Sequence, residues 1–306
     1  MLYLLLEQGL NGLQYGLMLF LLAAGLTLVF GIMDVINLAH GSLYMIGAFL
    51  AAAFYQHLEN YLAALLLAIL ATALIGALLE QTLYRRLQKM SHLSQVLATF
   101  ALILIANESV KIIFGAQPLM LPVPEMLYGP IELVEDELYY PRFRMLIIVV
   151  GVLVALGLYL LVNRTRIGMW MRAGASNPGM AAVMGVRIQP LFTFVFALGA
   201  GLCALAGALL GPLLAVNVGM GESILIPAFE VIVIGGIGSM RGALVGSLLV
   251  GMIDTVGRVL LTLLLKAVSD PATANSVGPT LASMAVSLLM VAVLYFRPQG
   301  LFPARG

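Results

Sequence analysis

The sequence is poor in charge. Asp, Glu, Lys and Arg make up 9% of its 306 residues, whereas hydrophobic residues make up 62%. A typical soluble domain is about 25% charged, so these charges are too few to cover a water-facing surface. The mean hydropathy of +1.08 and the repeated apolar runs of roughly 20 residues predict an all-α, polytopic transmembrane helical bundle. The net charge of +1 provides no basic patch for nucleic acid.

Residues that enzymes commonly use are also scarce. Cys203 is the one cysteine, which excludes an intrachain disulfide. The three histidines, His40, His57 and His92, are dispersed, and no metal-binding or paired-carboxylate motif accompanies them. The chain also lacks the GxxxxGK[ST] pattern that binds nucleotide phosphates. We therefore expect no catalytic residue, metal or cofactor, and a membrane-embedded enzyme is the weakest hypothesis.

The apolar runs and the breaks between them predict nine helices. They are expected at residues 9–31, 34–56, 61–83, 94–114, 143–163, 190–216, 224–238, 241–265 and 279–296. The second and seventh are short or polar at one end, so broken or short helices are expected near 31–45 and 224–240. We predict a single transmembrane domain over residues 1–306, with about 8–10 spans.

Basic residues indicate how the chain crosses the membrane. One set follows the third, fifth and last helices or separates the seventh from the eighth: Arg85, Arg86, Lys89, Arg164, Arg166, Arg172, Arg187, Arg241, Arg297 and Arg305. The opposite side has three basic residues and an acidic group: Arg142, Arg144, Lys266, Glu125, Glu132, Glu135, Asp136 and Glu137. The positive-inside rule makes the first set cytoplasmic. Nine crossings then place the N-terminus outside, the C-terminus inside, loop 115–142 in the periplasm and loop 164–190 in the cytoplasm.

The outer loop contains IELVEDELYYPRF, which predicts a small β-hairpin that turns near Glu135 and Asp136. Two interpretations are open: the hairpin has a docking role, or the segment is a simple acidic, solvated loop.

Two segments have the pattern of interrupted helices. The first is GIMDVINLAHGSLYMIGAF (31–49), and the second is FEVIVIGGIGSMRGALVG (229–246), which follows Pro227. Non-helical backbone at membrane depth is tolerated only where protein or a water-filled cavity satisfies it, and transporters have such breaks on their substrate paths. The candidate pathway residues are Asn37, His40, Ser42, Glu230, Gly235, Gly236, Gly238 and Ser239. The alternative for the first segment is that its polar residues cap a helix near the cytoplasmic surface.

Charged residues inside the apolar runs fall into pairs. Glu108 and Lys111 are three residues apart, and Asp254 and Arg258 are four apart, so each pair shares a helix face. This spacing predicts structural neutralisation of costly membrane charges. Glu230 has no such neighbour, and a partner on another helix is the favoured interpretation.

Glycines at four-residue spacing predict close helix–helix packing, because small residues let helix backbones approach each other in lipid. The pairs are Gly12 and Gly16, Gly207 and Gly211, and Gly242 and Gly246.

The cytoplasmic loop contains a short, well-delimited helix in RAGASNPGMAAVMGV (172–186). Asn177 is a good N-cap, Pro178 suits the first helical position, and Gly185 can close the helix. Its apolar residues are Met180, Val183 and Met184. A helix this short is unstable alone, so it either packs on its own membrane domain or inserts into a groove of a cytoplasmic partner.

The motifs and their order resemble those of LivH-type permeases, the membrane subunits of branched-chain amino acid ABC importers. NGLQYG, GLTLVFGI and NLAHGSLYMIGA match near the N-terminus, followed by RTRIGMWMRAGASNPGMAAVMGV, FEVIVIGGIGSMRGALVG and FRPQGLF. The resemblance spans nearly the whole chain and implies the ABC importer permease fold. It implies that the cytoplasmic loop contains a coupling helix, with these residues: Arg172, Asn177, Pro178, Met180, Val183, Met184 and Gly185. The acidic start common in other ABC coupling loops is absent, and SNPGM stands in its place.

The resemblance implies a permease subunit that moves branched-chain amino acids, or related amino acids and amides, across the bacterial inner membrane by alternating access. It implies two ATP-binding cassette subunits that bind the ATP, a periplasmic substrate-binding protein, and a second homologous permease subunit or a second copy. The rival hypothesis is an ion-coupled secondary transporter or channel for small polar solutes. Such a protein needs an uncompensated ionisable site near the midplane, for which Glu230 is the candidate.

Overall fold

The computed structural model describes residues 2–134 and 137–303, except for the side chain of Leu2. Its helices are α1 (Leu2–Met33), α2 (His40–Leu58), α3 (Tyr61–Leu79), α4 (Arg85–Leu87), α5 (His92–Phe114), α6 (Arg142–Arg164), α7 (Arg166–Ser176), α8 (Pro178–Val183), α9 (Ile188–Leu210), α10 (Met220–Gly235), α11 (Met240–Lys266) and α12 (Pro271–Phe296). A π-helical turn, Glu80–Tyr84, joins α3 to α4, and a 3-10 turn, Glu125–Leu127, precedes strands β1 (Pro130–Val134) and β2 (Leu138–Pro141). The predicted all-α polytopic bundle is confirmed.

Within the described residues, seven helices are long and apolar enough to cross a membrane. They are α1, α3 continued through α4, α5, α6, α9, α11 and α12. Helices α2 and α10, with 19 and 16 residues, fall outside this set and correspond to the two segments predicted to be short or polar at one end. The chain is therefore a multi-pass membrane protein.

The first predicted break lies later than expected. Helix α1 continues to Met33, and Asp34 then adopts a left-handed backbone with φ of 51° while its N–H donates to the Phe30 carbonyl at 2.9 Å. Residues other than glycine adopt this backbone conformation at a cost in free energy. The left-handed Asp34 therefore ends the helix. The prediction that the second helix starts at residue 34 is wrong, because α2 begins at His40.

The sixth predicted helix, 190–216, also extends too far. Helix α9 ends at Leu210, and Val216 instead pairs with Leu119 in an isolated antiparallel bridge. The two N–H···O distances between Leu119 and Val216 are 2.9 and 3.0 Å. Pairing with a distant extended segment is a tertiary effect, which an apolar run does not reveal.

The last helix begins earlier than the predicted residue 279. Asp270 caps α12 by accepting a hydrogen bond from the Thr273 N–H at 3.0 Å, and Pro271 occupies the first turn. Pro279 lies inside the helix. Proline is tolerated in membrane helices where the freed backbone groups find other partners, so the helix continues through Pro279.

The described residues form two compact units. The first lies within Met1–Phe20, Pro124–Ala155 and Pro227–Ala304, and the second within Leu21–Val123 and Leu156–Ile226. In the second unit α2, α3 and α9 pack against one another. A Cβ atom at Gly47 of α2 would overlap the Cα of Ala204 on α9, and one at Gly207 of α9 would overlap the Tyr44 carbonyl oxygen. Close backbone contact therefore holds this unit together.

The first unit packs α11 against α12 and against the start of α1. A Cβ at Gly16 would lie 2.8 Å from the Ser247 carbonyl oxygen, and one at Gly246 would lie 2.7 Å from the Val231 carbonyl oxygen. The glycine pairs predicted from four-residue spacing thus pack within the chain, each inside its own unit.

The predicted hairpin in the outer loop is present. Strands β1 and β2 are antiparallel, while Glu135 and Asp136, at the predicted turn, lie outside the described residues. Tyr140 of β2 is fully buried and donates to the Asn11 side-chain oxygen at 3.3 Å, which also accepts from Arg144 at 2.6 Å. Burial raises the pKa of Tyr140 to about 12, against the opposing effect of the Arg144 charge. These bonds tie the hairpin to α1 and α6.

We predict that Gly47→Ala destabilises the fold, because the added methyl group has no room against α9. Overpacking of this kind costs about 1–3 kcal/mol, so the apparent melting temperature in mild detergent should fall. Gly157→Ala is the matched control, because a Cβ at Gly157 meets nothing within 4 Å. Equal melting temperatures for the two variants would contradict the proposed α2–α9 contact.

Candidate functional site

The break between α1 and α2 is a buried polar junction in the second unit. Asn37 is fully buried, and its Oδ1 accepts a hydrogen bond from the Tyr84 hydroxyl at 2.6 Å. The Ile36 N–H donates to Gln95 Oε1 at 3.4 Å. Two side chains from neighbouring helices thus satisfy polar groups of the break, as non-helical backbone at membrane depth requires.

His40 lies where α1 and α9 approach each other. A Cβ at Gly25 of α1 would lie 2.7 Å from His40 Nε2, and a Cβ at Gly199 of α9 would lie 3.4 Å from His40 Cε1. The ring is fully buried, and neither ring nitrogen has a hydrogen-bond partner among the described residues. The two glycines therefore create the room that the imidazole occupies.

Other buried polar atoms of the second unit also lack a hydrogen-bond partner in the described part of the chain. They are Thr27 Oγ1, Asn37 Nδ2, Thr72 Oγ1 and Gln88 Nε2. Such atoms are few in folded proteins, and here they occur in the same unit as His40. None of the side chains of Asn37, His40 and Ser42 caps α2, whose N-cap residue is Ala39. The capping alternative is therefore wrong for these three residues.

A second buried polar group of this unit contains Glu80, which is not among the candidate site residues from the sequence. Glu80 is fully buried in the π-helical turn, and its Oε1 lies 3.0 Å from Arg85 Nε. The Thr193 hydroxyl donates to Glu80 Oε2 at 2.6 Å. The available signal is the spacing: Glu80 and Arg85 are five residues apart, which suits a π-helical turn better than an α-helix.

The Gly-rich break between α10 and α11 begins earlier than predicted and is longer. Helix α10 spans Met220–Gly235 rather than 224–238, because Gly236 and Gly238 adopt left-handed φ values of 110° and 81°. Ser239 then caps α11 by accepting a hydrogen bond from the Gly242 N–H at 3.1 Å. Glycine accepts this backbone without the penalty that a Cβ brings.

The segment after α12 completes the backbone hydrogen bonds of this second break. The Leu301 N–H donates to the Ile234 carbonyl and the Phe302 N–H to the Gly235 carbonyl, each at 2.9 Å. Gly236 and Gly300 are in direct backbone contact. Four of the candidate pathway residues thus shape or cap the break: Gly235, Gly236, Gly238 and Ser239. No local signal in the sequence predicts this pairing, because it joins residues 67 positions apart.

Glu230 belongs to a charged cluster in the first unit. Ser287 of α12 donates to Glu230 Oε1 at 2.6 Å. On α11, Arg258 binds Asp254 through two contacts of 2.7 and 3.0 Å, and Tyr15 of α1 lies within electrostatic reach of all three charges. The structure thus gives Glu230 a partner on another helix, although that partner is a hydroxyl group rather than a cation.

The other predicted ion pair is also formed. Lys111 Nζ lies 2.6 Å from Glu108 Oε1 on α5, where both side chains are exposed in the isolated chain. Exposed pairs contribute little to stability, so this pair serves mainly to neutralise charge.

A groove adjoins Glu230 in the first unit. It has a volume of about 330 Å³ and is lined by Ser283, Met284, Ser287, Leu288 and Val291 of α12. Ser287 both lines the groove and binds Glu230, so the carboxylate stands at its polar wall. Among the described residues, no group of three or more Asp, Glu, His or Cys side chains could hold a metal ion.

The short helix of the cytoplasmic loop folds as its sequence predicts. The Asn177 side chain accepts from the Met180 N–H at 2.9 Å, Pro178 begins α8, and Gly185 has a left-handed φ of 90°. Helix α8 contacts α7 and α9, and its residue Ala181 is buried. Met180, Val183 and Met184 are 60%, 82% and 78% exposed. Packing on its own chain therefore leaves the apolar face of α8 uncovered.

Helix α7, which precedes α8, was not predicted. Thr165 caps it by accepting from the Gly168 N–H at 3.1 Å, and Arg172 donates to the Val162 carbonyl at the end of α6. Arg172 is thus a contact that fixes α7 on α6. The sequence signal that was missed is Thr165 as an N-cap ahead of an amphipathic stretch.

Comparison with known proteins identifies the class. The family model described as branched-chain amino acid transport system, permease component, matches residues 9–294. The high-affinity branched-chain amino acid transport system permease protein BraD of Pseudomonas aeruginosa is 31% identical, over 97% of this chain and 95% of that protein. LivH of Salmonella typhimurium is 28% identical over 84% of this chain and 87% of its own length. A probable LivH of Methanocaldococcus jannaschii is 27% identical over 94% and 89%. No solved structure matches the chain.

The multi-pass helical fold and these matches define a membrane permease. The chain belongs to the family of permease components of branched-chain amino acid transport systems. Permeases of this kind work with ATP-hydrolysing and substrate-binding partner proteins and are not themselves enzymes.

We predict that Tyr84→Phe destabilises the polar junction. The variant removes the one hydrogen bond to Asn37 Oδ1 and leaves the buried amide without a partner, which costs about 1–3 kcal/mol. Tyr159→Phe is the control, because that ring is 46% exposed. The measurement is thermal unfolding in detergent. Equal melting temperatures for the two variants would contradict a special role for the hydrogen bond to Asn37.

Proposed function

We propose that this chain is the permease subunit of an ABC importer that moves branched-chain amino acids across the bacterial inner membrane by alternating access. Its family and the printed functions of BraD and LivH support the substrate class. The observation on which the mechanism depends is the exposed apolar face of α8. The whole chain, residues 1–306, acts as one permease domain.

Helix α8 is the element that receives force from the ATPase. It is capped at both ends and backed by α7 and α9, so its position is fixed. Its face of Met180, Val183 and Met184 is apolar and exposed, the pattern of a helix that inserts into a groove on a partner. Arg172, Asn177, Pro178 and Gly185 hold the shape of this region. Closure of the ATPase pair thereby moves α8, and with it α9.

The partners follow from what this chain lacks. Two ATP-binding cassette subunits bind and hydrolyse the ATP, since this sequence has no phosphate-binding loop. A second permease subunit, homologous or identical, completes the membrane part. The outer loop 115–142 is too short to be a receptor, so a periplasmic binding protein delivers the amino acid.

The orientation is N-terminus outside and C-terminus in the cytoplasm. Nine crossings, with α2 and α10 as short spans, place α7 and α8 on the side rich in basic residues. Nineteen residues of α2 reach about 28 Å, close to the roughly 30 Å thickness of the hydrocarbon core. The pathway residues are those of the two helix breaks: Asn37, His40, Ser42, Glu230, Gly235, Gly236, Gly238 and Ser239.

We predict that Val183→Asp and Met184→Asp detach the ATPase subunits. A carboxylate at the centre of an apolar contact should weaken attachment roughly 30-fold or more, the effect of losing an interface hot spot. ATP-driven leucine uptake into proteoliposomes should then be lost, while the chain still inserts into the membrane. The measurement is co-purification of the ATPase subunits in mild detergent, together with uptake.

Val268→Asp is the matched control, because Val268 is equally exposed at 89% but lies in the loop between α11 and α12, on the other proposed side of the membrane. Normal co-purification of the α8 variants would refute the coupling surface. Uptake by the chain alone, driven by an ion gradient and indifferent to ATP, would instead establish the secondary-transporter hypothesis.

A further inference from the structure

Glu230 is a carboxylate without a counter-cation in the described part of the chain. It forms none of the salt bridges there, and its one hydrogen bond comes from Ser287 to Oε1. Arg258, which like Glu230 lies near Tyr15, is already bound by Asp254 through two contacts. The cluster therefore has one negative charge in excess. Ionised groups in membrane segments face a protein interior or a water-filled cavity and are paired.

The groove beside Glu230 combines this charge with an apolar wall. Ser287 contributes the polar edge, and Met284, Leu288 and Val291 contribute the apolar one. Small-molecule sites are typically lined by apolar side chains with a few polar groups that fix orientation. This groove of about 330 Å³ is open on the surface of α12 and has the same mixture of side chains. The Ser283 hydroxyl already donates to backbone carbonyls of its own helix, so it needs no hydrogen-bond acceptor on a ligand.

A ligand that fits has a primary ammonium group next to a compact aliphatic side chain. An ammonium group offers three donors and one positive charge, which balances the excess carboxylate. Glu230 Oε2 has no hydrogen-bond partner among the described residues and can accept one of these donors. The aliphatic part then lies against Met284, Leu288 and Val291.

We propose that Glu230 and the groove beside Ser287 bind the α-ammonium group and the side chain of the amino acid as it crosses the membrane. This assignment rests on the proposed function and specifies the substrate contact within it. A carboxylate without an amine is excluded, because the cluster repels a second anion. The site thus selects for a zwitterion over the corresponding oxo acid after the receptor has released its cargo.

Protection of a cysteine in the groove tests the assignment directly. In the complete assembly, Met284→Cys is introduced together with Cys203→Ala, which removes the natural cysteine, itself buried. The rate of modification by a thiol reagent is measured with leucine or with 4-methyl-2-oxopentanoate, which has the same side chain but no ammonium. Tyr295→Cys, on the same helix and 81% exposed, is the control for general accessibility.

Leucine at ten times its half-protecting concentration should slow modification of the Met284→Cys variant roughly tenfold. The oxo acid should give no protection, and the Tyr295→Cys variant should react at the same rate in all conditions. Adding Glu230→Gln should raise the leucine concentration needed for protection roughly 10- to 100-fold, the effect of losing a charge-assisted hydrogen bond. Equal protection by leucine and the oxo acid, protection unaffected by Glu230→Gln, or protection by Na⁺ alone would overturn the proposal.

Uptake measurements separate this proposal from the function on which it rests. Glu230→Gln should lower ATP-driven leucine uptake about tenfold or more, and Glu230→Asp should recover part of it. Glu108→Gln, which also removes a carboxylate from a membrane helix, should transport normally. Co-purification with the ATPase subunits shows that each variant is assembled. If Glu230→Gln transports at the normal rate, the substrate contact is wrong and the importer remains. If the unmodified assembly shows no ATP-driven uptake, the importer itself is wrong.

Discussion

The demand that every backbone polar group in hydrocarbon find a partner within the protein shapes this molecule. Each helix break therefore depends on a distant segment. The break after α1 relies on Gln95 for the Ile36 N–H, and the break after α10 relies on Leu301 and Phe302 for two carbonyls. Irregular backbone is possible at these points because other parts of the chain complete its hydrogen bonds. The same points bring polar side chains among otherwise apolar helices.

Glycine makes these arrangements compact. In the second unit, Gly25 and Gly199 leave space for the His40 ring at a helix crossing, and Gly41 and Gly221 put α2 in backbone contact with α10. Without a hydrophobic drive between helices in lipid, such close approach supplies much of the packing energy. Buried polar side chains and tight packing thus occur at the same few positions. A larger side chain at any of them would disturb both.

Local signals in the sequence were sufficient for some features. The caps of α8, the antiparallel hairpin and the spaced ion pairs depend on residues a few positions apart, and the sequence predicted them. The ends of α2, α9 and α12 were wrong, because they depend on the left-handed Asp34, the Leu119–Val216 bridge and the Asp270 cap. The partners of Asn37 and Glu230 could not be predicted, since Tyr84 and Ser287 lie 47 and 57 residues away.

The π-helical turn at Glu80–Tyr84 has a consequence for insertions and deletions. It presents Glu80 to Arg85 and Thr193, and Tyr84 to Asn37. A π-helical turn holds about one residue more than an α-helical turn. Removing one residue from this turn would therefore convert it to ordinary α-helical winding, while Tyr84 and α4 keep roughly their present faces. In an uninterrupted α-helix the same deletion would rotate every later residue by about 100° around the axis, so this stretch absorbs a change of length that most of a membrane-spanning helix does not.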